Sequence, residues 1–318
     1  MFPKSKKMLF TALASVSMLF SGSLVAQDKG LISIIVNDMS NPYWQTEGTI
    51  AGRTAEELGY DANVSSHVGD TNTESNLVDT AITNGAKAII LDPANADGSI
   101  GAVRRAVEAG IPVFIINAEI NQQGLAKAQL VSNNAQGAAL GAQEWAMQLD
   151  GEGSYIELNG PPSDNNAATR SNGYETVLSQ YPDLTLAASD IANWDRTEGR
   201  NKMQSMLRSH PDIRGVISGN DEMALGAIVA LKQEGLLDDV LVGGFDGSPD
   251  AVDAVRSGEL AYTVLQPVAV FAEDAVKIAD HYINTGETGL DSEKQLYDCI
   301  LITPDNVDNY TSPFVLEE

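Results

Sequence analysis

The sequence predicts an α/β protein of two doubly wound parallel-sheet lobes, with a ligand cleft between them and several hinge crossings joining them. Three observations carry that expectation. Short, nearly continuous apolar runs alternate with longer helical segments, as parallel strands covered on both faces do. The alternation comes in two series, broken at Asp150-Gly-Glu-Gly153. Strands repeatedly end in a polar side chain, most clearly at Asn220 and Asp246, and the crevice beyond such C-terminal tips is where open α/β sheets bind ligands.

The elements follow in order. The apolar run Leu31–Val36 is the first strand, ending in Asn37-Asp-Met-Ser-Asn41. Pro42 suits a first helical turn, and residues 43–58 continue the helix until Gly59 stops it. Strands are expected at 62–68, 88–91, 112–116 and 129–131, with helices at 73–83, 99–109 and 134–149 between and after them. The second series places strands at 154–158, 184–188, 214–218, 240–244 and 260–265, and helices at 166–180, 196–209, 221–234 and 249–257. A last helix, 268–284, and a last strand, 295–302, complete the chain. No Pro- or Ser-rich linker separates the halves, which favours lobes joined by several close crossings.

Residues 1–26 read as a secretory signal: Lys4, Lys6 and Lys7 precede an apolar stretch, and cleavage is expected after Ala26. The stretch is short for a span and interrupted by Thr11, Ser15 and Ser17. Gln27 stands where lipid anchoring would need a cysteine, so a soluble exported protein is expected. The sole Cys299 excludes an internal disulfide. The net charge of −25, with 44 acidic against 19 basic residues, repels nucleic acid and anionic lipid.

Catalytic and metal signatures are missing. His67, His210 and His281 are widely separated and are expected on the surface; Cys299, in an apolar run, reads as a small buried hydrophobe. Neither a G-x-S-x-G elbow nor a G-x-x-x-x-G-K-[ST] loop occurs. Asp92-Pro-Ala-Asn-Ala-Asp-Gly98 has the wrong register for a calcium loop and reads as a turn feeding a helix. No cofactor and no metal are expected.

The motifs Asn41-Pro-Tyr-Trp44, Asn220-Asp-Glu-Met-Ala-Leu-Gly226, Gly244-Phe-Asp-Gly-Ser-Pro-Asp250 and the strand ending in Gln266 stand in one order along the chain. In that order they resemble the periplasmic sugar-binding proteins of the ribose-binding type, the receptors of ABC importers, over essentially the whole chain after the signal. Related repressors share the core but carry a DNA-binding helix-turn-helix, where this chain has an export signal.

The resemblance implies a pocket formed by Asn37, Asn41, Tyr43, Trp44 and Asn117 from the N-terminal lobe and by Arg170, Trp194, Asn220 and Asp246 from the C-terminal lobe, with Gln266 at a crossing. It divides the chain into an N-terminal lobe of 27–132 plus 267–295 and a C-terminal lobe of 133–266 plus 296–318. Carboxamides, a carboxylate and a guanidinium suit sugar hydroxyls, which donate and accept, while aromatic rings pack on sugar C–H faces. Each residue also has a bland role: Asn220 and Asp246 as helix caps, Trp44 and Trp194 as core, Arg170 as a solvated charge.

The chain departs from the ribose-type pattern at Asn117-Ala118, where that type has an Asp-Arg pair, and in carrying the larger rings of Trp44 and Trp194 where the ribose receptor has Phe. These departures imply a small neutral polyol or pentose-sized sugar rather than ribose. Glu119, if it faces the cleft, would add a bias against anions. The partners implied are an inner-membrane ABC permease and, in an alternative signalling role, a chemoreceptor or sensor kinase; the protein is expected to act as a monomer in the periplasm. An exported carbohydrate enzyme is a third reading, and it would need a second acid near Asp246.

Overall fold

The computed structural model describes residues 29–317; the export signal expected at 1–26 lies outside the described residues. The first series runs β1 (Leu31–Val36), α1 (Pro42–Glu57), β2 (Asp61–Ser66), α2 (Thr71–Thr83), β3 (Ala88–Leu91), α3 (Ile100–Glu108), β4 (Val113–Ile116) and β5 (Ala128–Ser132). The second begins with α4 (Asn134–Gln148), β6 (Glu152–Asn159), α5 (Asn165–Leu178), β7 (Asp183–Ile191) and α6 (Arg196–Ser209). It continues through β8 (Gly215–Ser218), α7 (Asp221–Glu234), β9 (Leu241–Gly243), α8 (Pro249–Ser257) and β10 (Thr263–Leu265). Then come α9 (Val268–Thr285), β11 (Lys294–Tyr297), β12 (Ile300–Ile302), β13 (Tyr310–Ser312) and β14 (Val315–Leu316).

The first sheet is parallel throughout, in the order β11-β5-β4-β3-β1-β2. The second is parallel in the order β7-β6-β8-β9, extended by the pairing of Gly243 with Tyr262 and of Asp246 with Leu265. In each sheet the winding reverses next to the first strand, between β1 and β3 and between β6 and β8, and the ligand crevice of such sheets lies beyond the strand ends at that reversal. Strands such as β3 (AIIL) and β4 (VFII) are buried along their whole length, which explains their unbroken apolar sequence. Side-chain oxygens of Asn41, Asp70, Asp164, Asp195 and Asn220 cap the helices that follow them.

The chain passes from the first sheet to the second between β5 and α4, returns between β10 and α9, and leaves again after β11. α9 packs on the first sheet, where Tyr282 meets Phe114 edge-on and Asp280 accepts from the Tyr60 hydroxyl.

Two sequence expectations require correction. The single strand foreseen at 295–302 is two strands in different sheets: β11 pairs with β5 through Tyr297, and β12 pairs antiparallel with β10. Gln136 forces the change by clamping both the N–H (2.9 Å) and the carbonyl (3.0 Å) of Cys299, which turns the backbone toward the second lobe. His67 is buried rather than superficial. Both its nitrogens are satisfied, Nδ1 accepting from Gly69 N–H at 3.0 Å and Nε2 donating to the Asp92 carbonyl at 2.8 Å, so burying a neutral ring costs little.

Candidate functional site

The polar strand tips converge where the two sheets face each other. Asn117 follows β4, Asn220 follows β8, Asp246 follows β9 and Gln266 follows β10. Asn117 (φ 60°), Trp194 (φ 63°) and Asp246 (φ 132°) hold backbone conformations that non-glycine residues seldom adopt, a strain that concentrates at ligand sites. Asn220 performs both roles that its sequence left open: Oδ1 caps α7 by accepting from Met223 N–H (3.0 Å), and Nδ2 donates to the Trp194 carbonyl (3.3 Å).

A small cavity lies between the lobes, lined by Asn41, Tyr43, Trp44, Asn117, Arg170, Trp194, Asn220, Asp246 and Gln266, together with Asp164 and Asn166. Of the residues expected from sequence, Asn37 stands outside it; Asn37 lines a wider outer vestibule that shares Asn41, Trp44, Asn117, Asp164 and Trp194 with the inner cavity. The lobes are closed over the cavity. Ala96 N–H donates to the Ser163 carbonyl (3.0 Å), Asn165 Nδ2 to Asn121 Oδ1 (2.8 Å) and Asn166 Nδ2 to the Asn117 carbonyl (3.2 Å).

Arg170, 3 % exposed, is not a solvated charge. Its Nε donates to Asn134 Oδ1 (2.7 Å) and its Nη1 to the Gly219 carbonyl (2.8 Å) and Asp246 Oδ1 (3.3 Å), while its plane lies over the rings of Phe245 and Trp194. Gln266 Nε2 reaches the same Asp246 oxygen at 2.7 Å. Glycines make room for Trp194: a Cβ on Gly160 would sit 2.0 Å from the indole, and one on Gly219 2.9 Å from it. The indole N–H donates to Asp164 Oδ2 (3.2 Å). On the N-terminal side the Tyr43 hydroxyl donates to Asn117 Oδ1 (3.0 Å), and Phe314, from the turn between β13 and β14, packs edge-on against Tyr43.

Burial pushes the Asp246 carboxyl up to about 8, against the pull of Arg170 and with the repulsion of Asp221. Burial likewise raises Tyr43 and Asp164. The guanidinium lies beside the Asp246 carboxyl, which accepts from it, and among the described residues no second cation lines the cavity. Such a lining offers hydrogen-bonding groups to a neutral hydroxylated ligand and no free cation to an anion.

Sequence reasoning missed Asp164, Asn166 and Asn134. The signal for the first two was the polar run Asp164-Asn-Asn166 at the start of α5, which reads as a cap and does cap: Asp164 Oδ1 accepts from Asn166 N–H at 2.8 Å. Asp164 is a second acid on the cavity with Asp246, but both of its oxygens are already engaged. Glu119 does not line the cavity. It pairs with Lys294 at 2.8 Å and lines a separate cleft with Gln129 and Glu293.

The fold and this cleft define a two-lobed solute receptor, and comparison with known proteins agrees. Residues 32–288 match the family model described as a periplasmic binding protein domain, and the chain belongs to that family. It is 48 % identical to the D-apiose import binding protein of Paraburkholderia graminis over 302 residues, covering 95 % of this chain and 96 % of that one. It is 46 % identical to the D-apiose import binding protein of Actinobacillus succinogenes, covering 94 % and 96 %. Among solved structures, an ABC transporter solute-binding protein from Bacillus halodurans with bound myo-inositol superposes with a TM-score of 0.83 at 28 % identity, covering 89 % of this chain and 97 % of that one.

Proposed function

We propose that this protein is a periplasmic solute-binding protein, not an enzyme, that captures a small neutral carbohydrate and delivers it to an inner-membrane ABC permease, with D-apiose the first candidate ligand. The observation that carries the reading is the small inter-lobe cavity on which the polar strand tips Asn117, Asn220, Asp246 and Gln266 converge. Its walls combine a buried Arg170–Asp246 pair with carboxamides and two indole rings. The names of the relatives support both the import role and a sugar of pentose size. In this reading Asp246, Arg170, Asn117, Asn220, Asn41 and Gln266 bond ligand hydroxyls, Trp44 and Trp194 cover the ring faces, Tyr43 holds Asn117, and Asn37 acts at the entrance.

The lobes we propose are 27 to about 132 with about 267 to 297, and about 133 to 266 with the tail from about 298. They hinge at Ser132-Asn133, Gln266-Pro267 and Asp298-Cys299. Export through a signal removed after Ala26 places the mature chain in the periplasm. Calorimetric titration with D-apiose, other pentoses, four- and five-carbon alditols, hexoses and sugar phosphates tests the ligand assignment. D-apiose is expected to bind tightest and sugar phosphates not at all. Tighter binding of a hexose or a sugar phosphate than of every four- or five-carbon candidate overturns it.

A further inference from the structure

Next to the cavity but outside its lining, two carboxyl groups are buried together, one of them, Asp92, at the wall of the outer vestibule. Glu47, on the inner face of α1, is 0 % exposed, and Asp92, at the tip of β3, is 1 % exposed. Neither Glu47 oxygen meets a donor, and Asp92 Oδ1 and the Trp44 indole N–H also lack well-formed hydrogen bonds. Asp92 Oδ2, by contrast, accepts from Asn117 Nδ2 at 2.9 Å, and Asn117 Oδ1 is thereby turned to accept from the Tyr43 hydroxyl at 3.0 Å. Two buried acceptors side by side with no donor between them are costly, and one proton converts them into a donor and an acceptor. The proton belongs on Glu47, because Asp92 already serves as acceptor to Asn117 and has the Trp44 N–H and the Ala118 backbone N–H bearing on it.

We propose that Glu47 is a positioning residue of the sugar site: protonated, it donates to Asp92, and through Asp92 it fixes how the Asn117 amide and the Trp44 indole are presented to the cavity. The proposal rests on the sugar-site reading only for the ligand. The titratable and charged groups around the pair are Tyr43 on α1, His67 after β2 and, across the cleft, Asp164, Asp246 and Arg170. His67 bonds the Asp92 backbone and Arg170 is engaged with Asp246, so neither neutralises the pair. Burial raises both carboxyls, Asp92 to about 8 and Glu47 well above the carboxylate range, with Asp92 adding to the rise of Glu47. The pair titrates as a unit.

The sign of the pH effect follows. Groups whose pKa is raised on folding stabilise fully below the unfolded value and lose that contribution as pH rises through the folded value. The ligand-free wild type should therefore lose melting temperature relative to Glu47→Gln as pH goes from 6 to 9, and the comparison cancels Asp246, which both proteins share. Two ligand-free measurements and one titration decide the matter.

The infrared difference spectrum, wild type minus Glu47→Gln at pH 7, should show a protonated carboxyl band; a carboxylate band in its place overturns the proposal, as does a melting difference independent of pH. In titration with D-apiose, Glu47→Gln should stay within about threefold of wild type and Glu47→Leu should weaken by about tenfold or more while melting cooperatively. Wild-type affinity in Glu47→Leu overturns the positioning role. If wild type fails to bind D-apiose, the ligand assignment falls while the infrared and melting results still decide the proton.

Discussion

Replacing Asp246 by Asn separates binding from folding more sharply than any other change in the cleft. Both protein donors to this carboxylate, Arg170 Nη1 at 3.3 Å and Gln266 Nε2 at 2.7 Å, land on Oδ1. Oδ2 takes no protein donor among the described residues and is the oxygen left for ligand hydroxyls. Asparagine keeps the shape and one acceptor but removes the charge. A hydrogen bond to a charged group is worth ~1.5–3 kcal/mol, and losing one such bond corresponds to roughly 10- to 150-fold in Kd.

Folding responds in the opposite sense. The Asp246 carboxyl rises to about 8 on burial, so its contribution to stability is present below ~4 and is lost as pH climbs through 8. At pH 8 and above the ligand-free Asp246→Asn variant should melt at or above the wild type, while its affinity for D-apiose falls at least about tenfold. Isothermal titration and a melting series from pH 6 to 9 check both. Affinity within threefold of wild type in a folded variant would refute the argument and leave Asp246 a structural residue of the strand tip.

Two further outcomes are expected. Gly160→Ala places a Cβ 2.0 Å from the Trp194 indole, so the ring must leave its position; affinity should fall at least about tenfold in a protein that still melts cooperatively, as fluorescence titration can check. Asn165→Ala removes an exposed bond to Asn121 that ties the closed lobes at their rim, a contact worth about 0.5–1 kcal/mol. Release of ligand in stopped flow should quicken about two- to fivefold, with the melting temperature of the ligand-free protein little changed.

The two-series α/β pattern, the cap at Asn220 and the polar tips at Asp246 and Gln266 were legible in the sequence because each rests on local chemistry. Strand burial writes an unbroken apolar run, and a cap needs its side chain beside the first turn of its own helix. Side-chain direction after a strand end is not local in that sense, which is why Asn37 and Asn117, both terminating strands, part company: one reaches the vestibule and the other the cavity. Gln136 likewise sits 163 residues before Cys299, so the break between β11 and β12 could be seen only once α4 had docked.

Tertiary structure alone decided the charges. Arg170, Glu47 and His67 look in sequence like ordinary polar residues on a helix or after a strand, and the solvent side is the default place for each. Packing within each lobe put all three inside, with Arg170 against Asp246, His67 against the Asp92 carbonyl and Glu47 against the Asp92 carboxyl. The sequence by itself set which residue types stood at the strand tips. The closure of the lobes decided which of them lost water, and removing water is what turns a polar side chain into a strong, directional partner for a sugar.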